Sequence, residues 1–187
     1  MPTLAEHNSQ ADALYAAVPH EHWIEHLDDG RHVLVRPLTA EDRGREYNFI
    51  KGLSRASRHA RFLGEINEPG EALLDQLMSV DHQERMAFIA LVHDNGSLIE
   101  IGVARYAAAK AHECECAITV ADTWQRLGLG RMLMQHLMTA ARAHGFKRMY
   151  TIDAATNLPL RQLTHALGFH SVTDPDDSTQ IISSVAL

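Results

Sequence analysis

The chain has 187 residues, of which 45% are hydrophobic and 22% charged, a composition typical of one globular domain. Its formal net charge of −7 argues against a nucleic-acid binder, which would need a basic face. No apolar run is long enough to span a membrane and no secretion signal opens the sequence, so we expect no membrane partner and a cytoplasmic location. The two cysteines, Cys114 and Cys116, offer no disulfide framework, which also favours a reducing compartment, and we expect them to be packed strand residues rather than nucleophiles.

The first half of the sequence predicts a hairpin followed by three helices. Two extended runs, HWIEHL and RHVLVRPL, flank an Asp29-Gly30 turn. Thr39 and Asp42 have the spacing of a capping box, so a helix should follow them. Ser54 is expected to cap a second short helix, and the segment EALLDQLMSV to form a third.

The second half predicts strands alternating with helices. Two strands flank Asn95-Gly96, a dipeptide that favours tight hairpin turns, and ECECAITVA is the next strand. A long helix over about residues 129–144, the strand RMYTIDAA, the helix NLPLRQLTHAL and two last strands follow. This order predicts an α/β fold with a central mixed sheet and helices on both faces. We assign residues 1–21 to an N-terminal extension, weakly helical at ADALYAAV, and residues 22–187 to a single domain.

The segment QRLGLG, residues 125–130, places two glycines between a strand and a helix. The first N–H groups of a helix lack partners within it and attract anions, and Gly128 and Gly130 would let a phosphate approach the backbone. Arg126 and Arg131 add positive charge. The dinucleotide-binding fingerprint is excluded because its third glycine is replaced by Leu133, and the P-loop because Gly130 is followed by Arg131. The spacing alone leaves two readings open: a phosphate site, or a tight turn.

The segment QRLGLG also resembles the Gln/Arg-x-x-Gly-x-Gly/Ala acyl-CoA motif of the GCN5-related N-acetyltransferases (GNAT family). The flanking strand, the amphipathic helix and the later N-x-P…LGF pattern from Asn157 to Phe169 support the resemblance. The segments DGRHVLVRPLTAED, LSRASRHARF, RMAFIAL, IGVARY and GLGRMLM are similar to the acetyltransferase domain of bacterial protein lysine acetyltransferases. The resemblance spans about residues 22–172.

The resemblance implies a GNAT-like fold in which acetyl-CoA, the cosubstrate, lies between two splayed parallel strands. The pantetheine arm would bind backbone groups of Ile118, Thr119 and Val120, which splaying leaves without a ladder partner. Asn157 matches a position that contacts the cofactor near its thiol end. The pyrophosphate would be held by the loop residues Gln125, Arg126, Leu127, Gly128, Leu129, Gly130 and Arg131.

Acetyl transfer to a lysine amine requires a base, because the free amine has a pKa of about 10.4. Glu113 and Glu115 share one face of the strand that leads to the glycine loop. On residue types alone both read as surface glutamates; the resemblance favours Glu115 as the base, and a strand bulge would favour Glu113. Many relatives carry a proton-donating tyrosine at the position of Thr164, so water or substrate would protonate the thiolate here.

The expected partners are acetyl-CoA and an amine acceptor, with a homodimer left open. The negative net charge would attract a basic peptide loop, which favours a protein lysine as acceptor. A small amine as acceptor, and a non-catalytic acyl-CoA-binding regulatory domain, are the alternatives. His22 and His26 have helical i, i+4 spacing, but the stretch reads as extended and no further ligand cluster is evident, so we predict no metal site.

Overall fold

A computed structural model describes residues 21–64 and 66–187 of the chain. The helix predicted at ADALYAAV, and nearly all of the predicted N-terminal extension, lie outside these residues. The strands are β1 (Trp23–His26), β2 (His32–Pro37), β3 (Arg85–Asp94), β4 (Ser97–Lys110), β5 (Glu113–Val120), β6 (Arg148–Ala154), β7 (His170–Thr173) and β8 (Gln180–Ala186). The helices are α1 (Arg43–Gly52), α2 (Arg55–Phe62), α3 (Glu71–Met78), α4 (Leu129–Ala143) and α5 (Leu158–Ala166).

The eight strands form one mixed sheet in the order β1-β2-β3-β4-β5-β6-β8-β7. All pairs are antiparallel except β5 with β6, whose parallel connection runs through α4. The mixed α/β sheet predicted from the order of elements is therefore confirmed. Within residues 21–64 and 66–187, no helix has the length and apolarity needed to cross a membrane.

Local signals in the sequence explain where several elements begin and turn. Asn95 and Gly96 both have positive φ angles, 47° and 80°, as the turn joining β3 and β4 requires. Ser54 caps α2 by accepting a hydrogen bond from the N–H of Ser57 at 3.1 Å. Asp42 accepts from the backbone N–H of Thr39 at 2.9 Å, so the predicted capping box is present ahead of α1.

Helices cover both faces of the sheet, as predicted. In β3, alternate side chains enter two different cores: Phe88 packs with residues of α4, and Ile89 with residues of α1 and α3. Cys114 and Cys116 are buried in the α4 core and form no disulfide, which confirms the prediction that they are packed strand residues.

The feature that positions the site is the separation of β5 from β6. The two strands pair only from Glu113 opposite Arg148 to Glu115 opposite Tyr150. Beyond that point β5 continues to Val120 against β4, and β6 continues to Ala154 against β8. The facing edges of residues 116–120 and 151–154 therefore do not pair with each other, and a groove opens between them.

Candidate active site

The groove is about 1260 Å³ in volume and begins where β5 and β6 separate. One half is formed by the free parts of β5 and β6, the loop that precedes α4, and the start of α5. The other half is formed by α2 and the end of α3. We call these the strand half and the helix half. Glu115 lies on the wall of the groove at the end of the paired part of β5.

Gly128 is required by the backbone of the loop. It is the N-cap of α4 and has a φ of 83°, in the left-handed region that favours glycine. A Cβ at this position would lie 3.1 Å from the carboxylate oxygens of Asp28, whose N–H donates to the carbonyl of Leu127 at 3.1 Å. Gly128 also has no side chain that could cap the helix, so the first N–H groups of α4 stay available to a ligand.

Gly130 has ordinary helical geometry, and its missing side chain leaves space in the groove. A Cβ there would lie 3.3 Å from Leu163 Cδ2 and 3.6 Å from Ile118 Cδ1. It would therefore partly fill the gap between β5 and α5. This gap, the free helix N–H groups and the unpaired strand edges fit a long ligand that carries phosphates at one end.

Most of the residues predicted to bind acetyl-CoA line this groove. The lining includes Ile118, Thr119, Val120, Gln125, Arg126, Gly128, Gly130, Arg131 and Asn157. Leu127 and Leu129 are absent from it. Leu129 is buried in the core on the α4 face, and Leu127 packs against the same core. These two side chains therefore anchor the loop of residues 125–131 to the hydrophobic core.

Polar contacts fix the loop and the start of α2 to each other. Asp122 accepts hydrogen bonds from the N–H of Ser54 at 2.9 Å and from the hydroxyls of Ser54 and Ser57, both at 2.7 Å. Gln125 donates from its amide to the carbonyl of Val120 at 3.1 Å. The carbonyl of Val120, which we predicted to bind the pantetheine arm, thus already accepts one hydrogen bond from within the chain.

The two candidate bases have different surroundings. Glu113 accepts from Arg148 Nη1 at 3.0 Å and does not line the groove. Glu115 is exposed and lines it. Opposite Glu115 on β6 lies Tyr150, whose pKa is raised by burial and by the charge and hydrogen bonding of Glu115. Tyr150 is not apparent as a site residue in the sequence, because its place beside Glu115 depends on the register of β5 and β6.

Other polar groups near the groove are buried. Thr164, at the position where many relatives carry a tyrosine, donates to the carbonyl of Arg161 at 3.1 Å and does not line the groove. Asp153 lies on the free part of β6 and is only 2% exposed. Its carboxylate oxygens have no hydrogen-bond partner among the described residues, and burial raises the pKa of Asp153 to about 6.

The helix half contains a basic residue that the sequence did not single out. Arg61, on α2, lines the groove and is partly buried. Close to it, the buried carboxylate of Glu46 pairs with Arg105 at 2.5 Å. Burial and the charge of Arg105 lower the pKa of Arg61 to about 10, against the opposing effects of Glu46 and Glu115.

The histidine-rich N-terminal stretch does not form a metal centre in the described chain. His26 packs edge-on against His32, with ring centroids 4.2 Å apart. No three His, Cys, Asp or Glu side chains between residues 21 and 187, Glu65 aside, come close enough together to hold an ion.

Comparison with known proteins agrees with the fold. The sequence profile of the acetyltransferase (GNAT) family matches residues 50–169. Over 181 residues the chain is 56% identical to Acetyltransferase PA5475 of Pseudomonas aeruginosa, covering 96% of this chain and 97% of that protein.

Solved structures with low sequence identity share the architecture. The GNAT domain of S. lividans PAT has a TM-score of 0.80 at 22% identity, with 89% of this chain and 97% of that chain covered. The structure of yncA from Salmonella typhimurium, solved with its cofactor acetyl-CoA, has a TM-score of 0.66 at 18% identity, with coverages of 83% and 94%. From the family profile and the 56% identical relative, we conclude that the chain belongs to the acetyltransferase (GNAT) family and is an N-acetyltransferase whose cosubstrate is acetyl-CoA.

Proposed function

We propose that the chain acetylates the side-chain amine of a protein lysine by direct attack, with Glu115 as the general base. The observation that carries this proposal concerns the three acidic residues that line the groove in the described part of the chain. Asp122 is held by two serines, and the carboxylate of Asp153 is buried. Glu115 is exposed at the point where the strands separate, with Tyr150 beside it, and an amine in the groove can reach its carboxylate.

A base at this point meets the main chemical requirement of the reaction. A protonated lysine has no lone pair for attack, and its pKa of about 10.4 keeps it protonated near neutral pH. Glu115 takes the proton from the amine, which leaves the nitrogen nucleophilic. Glu113 is a weaker candidate because Arg148 engages it outside the groove.

The strand half of the groove would hold acetyl-CoA, which supplies an acetyl thioester to the amine. The N–H groups at the start of α4, together with Arg126 and Arg131, suit the phosphates. Backbone groups of Ile118, Thr119 and Val120 suit the amide groups of the pantetheine arm. Asn157 lines the same half, while its side chain also accepts from the N–H of Leu160 at 3.2 Å.

The helix half suits the aliphatic part of a lysine side chain. Its wall includes Phe62, Leu63, Leu73 and Leu77. Each methylene that such a wall removes from water contributes about 0.8 kcal/mol to binding. Water or the acceptor itself would supply the proton for the departing thiolate, because the hydroxyl of Thr164 donates to the carbonyl of Arg161 and Thr164 is not part of the groove lining.

The test compares Glu115→Gln with Glu113→Gln in steady-state acetylation of a lysine-containing peptide. Glu115→Gln should keep its affinity for acetyl-CoA and lose about 10²–10⁴-fold in kcat/KM near neutral pH, the usual contribution of a general base. The loss should shrink at high pH, where more of the amine is neutral. Glu113→Gln should stay near the wild-type rate, which makes it the matched control.

Two outcomes would contradict the proposal in different ways. A wild-type rate in Glu115→Gln together with a large loss in Glu113→Gln would move the base to Glu113. Efficient turnover of one small amine, with no acetylation of any protein lysine, would move the acceptor to the small-amine class.

A further inference from the structure

The charge next to the helix half of the groove has the opposite sign to the charge of the whole chain. The chain carries a net −7, but α2 contains three arginines and one histidine and no acidic residue. Exposed charges act mainly within a Debye length of about 8 Å at physiological ionic strength, so an acceptor entering here meets the local charge first.

Three acidic side chains on α3 and in the loop after β5 have partners other than Arg61. On α3, Glu71 and Asp75 both pair with Arg43, at 2.6 and 2.7 Å. Asp122 accepts its hydrogen bonds from the two serines at the start of α2. None of these three acids therefore pairs with Arg61, the arginine of α2 that lines the groove.

Arg58 and Arg61 differ in what their guanidinium groups contact. Arg58 donates to the backbone carbonyls of Lys51 and Leu53, so it caps the C-terminal end of α1. Arg61 lines the groove, and its guanidinium lies 5.0 Å from the ring of Phe62. It forms no hydrogen bond or ion pair with any residue in the described ranges. Its side chain is only partly buried, so a ligand in the groove can reach it.

The carboxylates of Glu46 and Glu115 lie close enough to act on the charge of Arg61, but neither forms an ion pair with it. Glu46 is committed to Arg105, which also donates to the carbonyl of Leu77 at 2.8 Å. The pKa of Arg61 is lowered rather than raised, as expected for a cation that is partly buried beside a second cation without an anionic partner of its own. A bound carboxylate would supply that partner, because a guanidinium presents a planar fork of donors that matches it.

We propose that Arg61 is an acceptor-binding residue and that the preferred acceptor is a lysine with an acidic residue beside it in sequence. The carboxylate of that neighbour pairs with Arg61 while the lysine amine reaches Glu115, since both residues lie on the wall of one groove. This inference rests on the proposed function and names the chemical class of its acceptor.

The test uses pairs of peptides that differ only in charge next to the lysine. In each pair, one peptide carries Asp and the other its neutral isostere Asn, at the position directly before or directly after the lysine. For at least one position, wild-type protein should prefer the Asp peptide by about 10–100-fold in kcat/KM, the range expected for a hydrogen bond to a charged group. Arg61→Gln should reduce that ratio to near one, and Arg61→Lys should keep part of it.

Arg43→Gln is the matched control, because it removes the same charge from α1, outside the groove lining. It should leave the Asp-to-Asn ratio unchanged. Thermal melting and acetyl-CoA affinity report whether each variant is folded. Equal turnover of the paired peptides by wild-type protein, or an unchanged ratio in folded Arg61→Gln, would overturn this inference alone. Failure to acetylate any lysine peptide would overturn the proposed function and this inference with it.

Discussion

Replacing each glycine of the loop by alanine separates the demands of the fold from those of the cofactor. In Gly130→Ala, the new methyl group lies 3.3 Å from Leu163 Cδ2 and 3.6 Å from Ile118 Cδ1, inside the gap between β5 and α5. The backbone needs no positive φ there, and alanine favours a helix over glycine by up to about 1 kcal/mol. The close contact with the end of a flexible leucine offsets part of that gain, so stability should change by less than about 1 kcal/mol.

In Gly128→Ala, the substitution should lower the stability of the fold instead. A left-handed backbone costs a non-glycine residue about 1–2 kcal/mol, and φ here is 83°. The added Cβ also lies 3.1 Å from the carboxylate of Asp28. We therefore expect a lower melting temperature for Gly128→Ala than for Gly130→Ala.

Calorimetric titration with acetyl-CoA, alongside thermal melts, checks the pair. Gly130→Ala should melt near the wild-type temperature and bind acetyl-CoA at least about tenfold more weakly, which corresponds to about 1.4 kcal/mol. Gly130→Glu should bind more weakly still, because it adds negative charge beside the proposed phosphate site. Unchanged acetyl-CoA affinity in a folded Gly130→Glu variant would refute the placement of the cofactor.

Two further predictions concern buried groups. The pKa of Asp153 is raised from 3.8 to about 6 by burial, so its ionisation opposes folding and wild-type stability should fall between about pH 4 and 6. Asp153→Asn should lack this fall, so its free energy of unfolding relative to wild type should rise by up to ~3 kcal/mol across that range. Parallel curves of unfolding free energy against pH for the two proteins would contradict the raised pKa of Asp153. Burial raises the pKa of the Cys114 thiol to about 12 and that of Cys116 higher still, so neither thiol should react with a thiol reagent at pH 7 until the protein is denatured. Rapid labelling of the native protein, with loss of activity, would mean that a cysteine is accessible at the site.

Local signals in the sequence predicted the helices, strands and turns well, because turns and helix caps depend on residues that are neighbours in sequence. The Asn95-Gly96 turn, the Ser54 cap and the glycine-to-helix junction all lie where the residue types require them. Cys114 and Cys116 likewise lie in the core, as expected of packed strand residues. These features need no knowledge of distant contacts.

The parts of the site that depend on long-range pairing could not be predicted in this way. The point at which β5 leaves β6 is set by register, and this places Tyr150 beside Glu115. Arg61 reads as one more charge in RASRHARF until the packing of α2 brings it to the groove. Leu127 and Leu129 match the motif by position, yet their side chains pack inward. The cytoplasmic location, the homodimer and the domain limits stay predictions.

The central claim is that acetyl is transferred to a lysine amine through Glu115. Its most direct test is incubation of a cell lysate with isotopically labelled acetyl-CoA and either wild-type or Glu115→Gln protein, followed by peptide mass spectrometry. We predict labelled acetyl groups on lysine Nζ with wild-type protein and at most background labelling with Glu115→Gln. Equal lysine labelling by the two proteins, or wild-type label found only on small amines, would contradict the account.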